Sequence, residues 1–228
     1  MKLWVIGLAL GVAAIAAGSA VAETNECRGL NPCVAVAGPW VVVPTGNDVP
    51  RARAQFQMTC PQGWGVGGTD AELSDGAIDL SFLGASGAPV SPGVTTSRTI
   101  VFVASYTGKA KSAPTFRPHI GCVPLTGGGR RTPTGVSAVV PPGKPTVRRV
   151  VTSRVVGTKR IVASSRAGER LVDWYATRAF GTPAPPAAGL VASLSVRART
   201  AGPSAIAVAH ASRGQGIVQV AAVCAGGR

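Results

Sequence analysis

The sequence predicts an all-β protein built of two tandem, duplicated β modules, sandwich-like or barrel-like, that follow a signal peptide. Short alternating or apolar segments recur at close spacing, separated by turns that draw on 30 glycines and 18 prolines. Glycines of the two halves correspond at offsets of 105 and 106 residues, Gly63 with Gly168 and Gly108 with Gly214. A period of this length indicates a duplicated domain and not a solenoid repeat. Disulfides are expected to stabilise such small modules.

Residues 1–22 have the pattern of a signal peptide. A short positive start, Met1-Lys2, precedes an apolar run and the small-residue site Ala20-Val21-Ala22. We expect a mature chain that begins at Glu23 and is secreted or otherwise extracytoplasmic. The alternative is an uncleaved anchor, because residues 3–22 are just long enough to span a bilayer core of roughly 30 Å. No later segment of the sequence is long and apolar enough to cross a membrane.

The first module is expected over residues 23–123. Residues 51–58 alternate between apolar and polar side chains, which predicts a half-buried strand with one solvated face. Residues 99–106 form a nearly continuous apolar strand. Residues 119–123 are expected to close the module.

Residues 124–145 are rich in glycine, proline and arginine, which is typical of a linker. The second module is expected over residues 146–228, and residues 157–158 are interpreted as a turn between two of its strands. The alternation at 192–199 predicts another half-buried strand. Strands are expected at 147–156, 160–163, 171–175, 192–199 and 204–210.

The chain has five cysteines, an odd number, so at least one is free or bonded to another chain. The repeat pairs Cys60 with Cys122, and proximity pairs Cys27 with Cys33. Cys224 is then left alone, because the second copy has Ser165 where the first copy has a cysteine. Its thiol is either reactive or a buried remnant of a lost disulfide.

The segment Cys60-Pro61-Gln62-Gly63, followed by Val66 and Gly67-Gly68 and closed by Cys122, resembles a module of exported proteins from high-GC, actinobacterial-type bacteria. The start at residues 26–30 and the stretch 38–41 are similar to those proteins. The resemblance covers about residues 27–224 and implies Cys-Pro-x-Gly disulfide-linked β modules and export, but no reaction. The second copy departs from the pattern at Ser165 and at Val172-Asp173.

Positive charge is concentrated in the second half. Residues 23–127 contain seven basic and seven acidic residues, whereas residues 128–228 contain fifteen basic and two acidic ones. The excess indicates either a well-solvated surface or attraction to anionic cell-wall polymer or lipid. Nucleic acid is not expected as a partner, because no aromatic residues interleave with the basic stretch. The candidate contacts are Arg148, Arg149, Arg154, Lys159 and Arg160.

Four of the nine acidic residues lie close together at Asp70, Glu72, Asp75 and Asp79. Calcium favours several carboxylate and carbonyl oxygens on a turning loop, but the spacing fits no standard calcium loop. We interpret the group as a solvated turn and predict no metal or cofactor.

The chain has two histidines, His119 and His210, each in a predicted strand. Ser86 lacks the Gly-x-Ser-x-Gly pattern of a nucleophile elbow, and neither His-Glu-x-x-His nor Cys-x-x-Cys occurs. The sequence therefore predicts no catalytic residue.

The first functional hypothesis is a secreted, non-enzymatic structural or adhesive protein of the cell envelope, whose cationic half contacts anionic surface polymers. The second is a carbohydrate-binding module that uses Trp64 or Trp174. Trp40, Trp64 and Trp174 could each stack on a sugar if exposed, although tryptophans in small β domains more often pack in the core or at its rim. The third is an extracellular enzyme of unfamiliar type, which would require a pocket that groups a histidine with the acidic residues.

Overall fold

The computed structural model describes residues 24–46, 51–83, 98–109, 113–124 and 146–226. The predicted signal peptide at 1–22, Ser86, and the predicted linker after Pro124 lie outside these ranges. The all-β prediction is confirmed: the described residues form eleven strands and one helix of six residues. Within these ranges, no helix has the length and apolar character needed to span a membrane.

The elements follow one another in two groups. In the first half they are β1 (Val34–Ala37), β2 (Trp40–Val42), β3 (Ala54–Thr59), β4 (Trp64–Leu73), β5 (Ile78–Leu83), β6 (Thr99–Tyr106) and β7 (Thr115–Pro124). In the second half they are β8 (Thr146–Ser164), β9 (Glu169–Phe180), α1 (Ala188–Ser193), β10 (Leu194–Ala201) and β11 (Ser204–Gly226).

One antiparallel sheet of eight strands runs through both halves, and a second sheet contains β3, β6 and β5. The link between the halves is β2, where Val41 pairs with Phe116 of β7 and Trp40 pairs with Phe180 of β9. The sheets are not closed into a barrel, so the sandwich-like alternative of the prediction is the one observed.

Strand pairing in the second half parallels strand pairing in the first. The β3–β6 ladder and the β8–β11 ladder contain equivalent pairs at a shift of 105 residues in each strand. The β4–β7 and β9–β11 ladders each place a cysteine of the last strand opposite an apolar residue, followed by a register irregularity. The corresponding pairs are Thr59–Thr99 with Ser164–Ser204, and Val66–Cys122 with Leu171–Cys224. The duplication stays a prediction.

Two cores are present, and each is formed mainly by one half of the chain. The first contains large side chains, among them Phe102 and Phe116, whose rings stack with centroids 6.3 Å apart. The second is built largely of alanine and valine, with Ala205, Ala207 and Ala209 fully buried. Burial of this apolar surface contributes roughly 25 cal/mol per Å² removed from water.

The turn expected at residues 157–158 is instead a bend within the continuous strand β8. Gly157 has φ +65° and Gly214 of the neighbouring strand β11 has φ +64°. Glycine adopts positive φ without steric cost, so both strands bend here while they stay side by side. The β8–β11 register shifts at this point, between Ala211 and Gly216.

The polar face predicted to be solvated in residues 51–58 is exposed at its two arginines, as expected. At Gln55 and Gln57 the second half covers this face, so the prediction was wrong at these two positions. The Oε1 of Gln219 accepts from the backbone N–H of Gln57 at 2.7 Å, and its Nε2 donates to the carbonyl of Gln57 at 3.1 Å. Thr177 makes equivalent contacts with the backbone of Gln55, donating to its carbonyl at 2.8 Å. Side chains of β9 and β11 thus form hydrogen bonds with backbone N–H and C=O groups at the free edge of β3, which would otherwise be unpaired.

We expect Gln219→Leu to lower the free energy of unfolding by about 2 kcal/mol, because it leaves the backbone N–H and C=O of Gln57 without their hydrogen-bond partner. Urea denaturation monitored by tryptophan fluorescence measures the change. Gln215→Leu, at an exposed position of the same strand, is the matched control and is expected to change stability by less than about 0.5 kcal/mol. Equal effects of the two substitutions would contradict this role of Gln219.

Candidate functional site

The outward side of β10, β11 and the second part of β8 carries three arginines. Cross-strand partners lie on the same side of a sheet. Two successive rows are Arg160–Val208–Arg197 and Val162–Ile206–Arg199. The alternate residues of β11 between them are the buried alanines of the second core. We call Arg160, Arg197, Arg199, Ile206 and Val208 together the arginine face.

The arginine face contains a shallow groove of about 390 Å³. Its floor is apolar, and Val208 keeps 45% of its surface exposed. With strands about 4.8 Å apart, Arg160 and Arg197 leave the backbone on either side of β11, roughly 10 Å from each other. Arg197 and Arg199 follow each other along β10 at about 7 Å. Guanidinium groups pair with phosphate and carboxylate, so three of them on one face can contact several anionic groups at once.

The charge of the arginine face is uncompensated among the described residues. None of the three guanidinium groups forms a hydrogen bond or ion pair with another residue of that part of the chain. The two acidic residues of the second half are bound elsewhere, Glu169 by Arg149 and Asp173 by the hydroxyl of Tyr175. The guanidinium groups of the face are therefore free to contact an external anion.

Two of the five basic residues singled out from the sequence have internal partners. Arg148 donates to Gln55 at 2.7 Å and lies over the ring of Tyr175, 5.1 Å from its centroid. Burial lowers the pKa of Arg148 to about 10. Arg149 forms an ion pair with Glu169, which raises the pKa of the guanidinium and lowers that of the carboxyl group.

The other three basic residues, Arg154, Lys159 and Arg160, are exposed. The Nζ of Lys159 donates to the carbonyl of Arg154 at 3.2 Å, and Arg160 belongs to the arginine face. Sequence reasoning missed Arg197 and Arg199 as contacts, although it placed them on the polar side of their strand. Their position beside Arg160 follows from the pairing register, which the sequence pattern alone does not contain.

A second cavity, of about 360 Å³, lies where the two halves meet. Residues of both halves line it, with Arg53 from the first half and Trp174 and Arg178 from the second. We call this cavity the junction cleft. Its remaining lining residues are Val42, Pro44, Ala54, Ala176, Thr177, Val196 and Ala198.

The three tryptophans considered for sugar stacking have different environments. Trp40 is only 3% exposed, which removes it from any surface site. Trp64 is half-buried and packs against the first core. Trp174 is half-buried and lines the junction cleft, which places it in a concave site.

His119 lies between two glutamates in the first half. Its Nε2 is 2.8 Å from an oxygen of Glu72, and its Nδ1 is 3.7 Å from an oxygen of the buried Glu26. The carbonyl of Glu26 approaches Gly121 so closely that a Cβ at that position would lie 2.1 Å from it. None of these residues lines either of the two cavities. His210 is in the other half and contacts Thr158 at 2.8 Å.

The remaining acidic residues of the 70–79 group are not brought together at one site. Asp70 accepts from the backbone of Asn25 at 2.7 Å, and Asp75 accepts from Tyr106 at 2.9 Å, while Asp79 is exposed. Within the described residues, no three His, Cys, Asp or Glu side chains are grouped in a way that could hold a metal ion. The calcium arrangement considered from the sequence is thus not assembled there.

The structure contains the disulfides Cys27–Cys33 and Cys60–Cys122 and leaves Cys224 free. Cys224 is fully buried and accepts a hydrogen bond from the hydroxyl of Ser165 at 2.5 Å. Because a buried thiol is accessible neither to a substrate nor to a second chain, this environment favours the interpretation as a remnant.

Comparison of the chain with protein-family models, with curated proteins and with solved structures finds no match. The resemblance to exported actinobacterial-type proteins stays a prediction. The candidate sites therefore depend on geometry and charge alone, and these single out the arginine face and the junction cleft.

Proposed function

We propose that this protein is a secreted, non-enzymatic structural or adhesive component of the cell envelope, and that its arginine face binds anionic surface polymers. The observation that carries the proposal is the set of three exposed arginines on one side of a sheet, without an acidic partner among the described residues. Guanidinium groups pair bidentately with phosphate and carboxylate, so they suit such polymers.

The two disulfides support the extracytoplasmic part of the proposal. Disulfides form and persist in oxidising compartments and are rare in the cytosol. Their presence indicates folding outside the cytoplasm, where the sequence pattern at residues 1–22 would direct the chain. Secretion and attachment to the envelope belong to the proposal.

A binding role is favoured over an enzymatic one by the position of the polar groups. His119 contacts Glu72, and Asp70 and Asp75 accept hydrogen bonds from backbone groups or from Tyr106. None of these residues lines either of the two cavities. A general base must reach the group it deprotonates, which requires an accessible site. The arginine face, by contrast, is accessible and positively charged.

We expect the triple variant Arg160→Gln, Arg197→Gln, Arg199→Gln to bind a phosphate-rich cell-wall polymer about a hundredfold more weakly than the unmodified protein. Each arginine near an anionic surface contributes about 1 kcal/mol, so three contribute about 3 kcal/mol. Binding to the immobilised polymer is measured across a salt series. The slope of log affinity against log salt is expected to fall by about two for the variant.

The matched control is the triple variant Arg154→Gln, Arg166→Gln, Arg170→Gln, which removes the same charge from exposed positions of the same half but off the arginine face. It is expected to lose less than tenfold in affinity. Equal losses in the two variants would mean that net charge, not this face, determines binding. Salt-independent binding, or preference for anionic lipid vesicles over the polymer, would contradict the proposal.

A further inference from the structure

The junction cleft combines an aromatic ring, apolar walls and two guanidinium groups. Residues of β9 and β10 line it, together with the end of β2, the start of β3 and the segment between them. At about 360 Å³ it has room for one sugar ring with its substituents. Because both halves contribute, the site exists only when they are packed together.

Trp174 gives the cleft a flat apolar surface. The side chains of Trp174, Ala176 and Arg178 alternate with Asp173 and Thr177 along β9, so they leave the strand on the same side. The small side chain of Ala176 lies between the two large ones. A half-buried tryptophan in a concave site offers a stacking face for the C–H side of a pyranose ring.

The two arginines of the cleft differ in their surroundings: Arg178 is anchored by backbone carbonyls, whereas Arg53 is exposed. Nη1 of Arg178 donates to the carbonyl of Leu194 at 2.8 Å and lies 3.5 Å from that of Val191, so the guanidinium is anchored. Burial lowers the pKa of Arg178. Arg53 is exposed at the start of β3 and has no ion pair with another described residue. The lining contains no carboxylate, so an anionic ligand meets no repulsion there.

We infer that the junction cleft binds an acidic sugar unit, a pyranose that carries a carboxylate, with its ring on Trp174 and its carboxylate near Arg53 and Arg178. A mononucleotide would use similar groups. The sugar is favoured because the disulfides indicate an extracytoplasmic protein, where acidic polysaccharides occur, and because one aromatic ring suffices for a sugar. The cleft shares Ala198 with the groove of the arginine face but uses different charged residues, and the inference does not depend on the proposed function.

The test is a titration of the full exported chain with a glucuronic-acid-containing disaccharide, followed by tryptophan fluorescence and by calorimetry. The same disaccharide with glucose in place of glucuronic acid, and a nucleoside monophosphate, are titrated in parallel. We expect the acidic disaccharide to bind at least tenfold more tightly than the neutral one, because the arginines contribute charge-assisted hydrogen bonds.

Two single variants test the two expected contacts with the sugar separately: stacking of its ring and binding of its carboxylate. Trp174→Ala is expected to weaken binding about tenfold by removing the stacking surface. Arg53→Gln is exposed, so it leaves folding intact, and it is expected to weaken binding of the acidic sugar about tenfold without affecting the neutral one. Trp64→Ala, which removes a half-buried tryptophan outside the cleft, is the control and is expected to leave the affinity unchanged.

The inference is overturned if the neutral sugar binds as well as the acidic one, if Arg53→Gln binds like the unmodified protein, or if the nucleotide binds more tightly. The triple variant of the arginine face separates the two proposals. This variant is expected to keep its affinity for the disaccharide and to lose affinity for the cell-wall polymer. Each proposal can therefore fail without affecting the test of the other.

Discussion

Replacing Cys60 and Cys122 with alanine is expected to lower the free energy of unfolding by about 4 kcal/mol. The disulfide joins positions separated by 62 residues, and closing so long a loop removes much conformational freedom from the unfolded chain. Both cysteines are at most 1% exposed and belong to the first core, so their removal also reduces packing. Urea denaturation of the oxidised protein measures the loss.

The matched control is the double alanine variant of Cys27 and Cys33, whose separation is six residues. The loop-entropy relation then gives about 2 kcal/mol, half the effect of the long bridge. The short loop lies at the start of the described chain, so its loss should leave the cores intact. A larger effect of the short bridge than of the long one would refute this ranking.

Ser165→Cys is expected to close a second long disulfide with Cys224 and to raise the free energy of unfolding by about 3 kcal/mol. The serine hydroxyl already contacts the Cys224 sulfur, at a sequence separation of 59 residues. Ser165 follows β8 as Cys60 follows β3, and Cys224 lies opposite Leu171 as Cys122 lies opposite Val66. The variant therefore places two thiols where the first half has a bridge.

Thiol titration in denaturant, before and after reduction, measures bridge formation. The unmodified oxidised protein is expected to contain one thiol, and Ser165→Cys none. Ser164→Cys, at the neighbouring exposed position that contacts Ser204, is the control and should retain two thiols with unchanged stability. Two remaining thiols in oxidised Ser165→Cys would count against the equivalence of the two cysteine positions.

Local patterns in the sequence predicted most strands and which side of several of them is buried. The apolar run at 99–106 coincides with β6, and the alternation at 192–199 places Arg197 and Arg199 outward, as observed in β10. The start of that strand was predicted too early, because residues 192 and 193 belong to α1 and β10 begins at Leu194. These features depend on neighbouring side chains along one strand, so they are visible in the sequence. The bend at Gly157 could not be distinguished from a turn in the sequence, because glycine permits a turn or a kinked strand equally well.

The candidate sites were predicted less well, since they depend on contacts between distant segments. Arg148 looked like a surface cation, yet it is covered by Gln55 and Tyr175 from opposite halves of the chain. Gln55 and Gln57 looked solvated, yet Thr177 and Gln219 cover them. Alternation of residue types shows that one side of a strand is polar. It does not show whether water or another polar side chain contacts that side.

The all-β character, the unequal distribution of charge and the pairing of Cys60 with Cys122 follow from residue type and spacing, so they could be predicted from the sequence. The joining of both halves by β2, the placement of Arg160 beside Arg197 and Arg199, and the cleft around Trp174 emerge only from the folded chain. They depend on strand register, because a shift of one residue between paired strands moves every side chain to the opposite face.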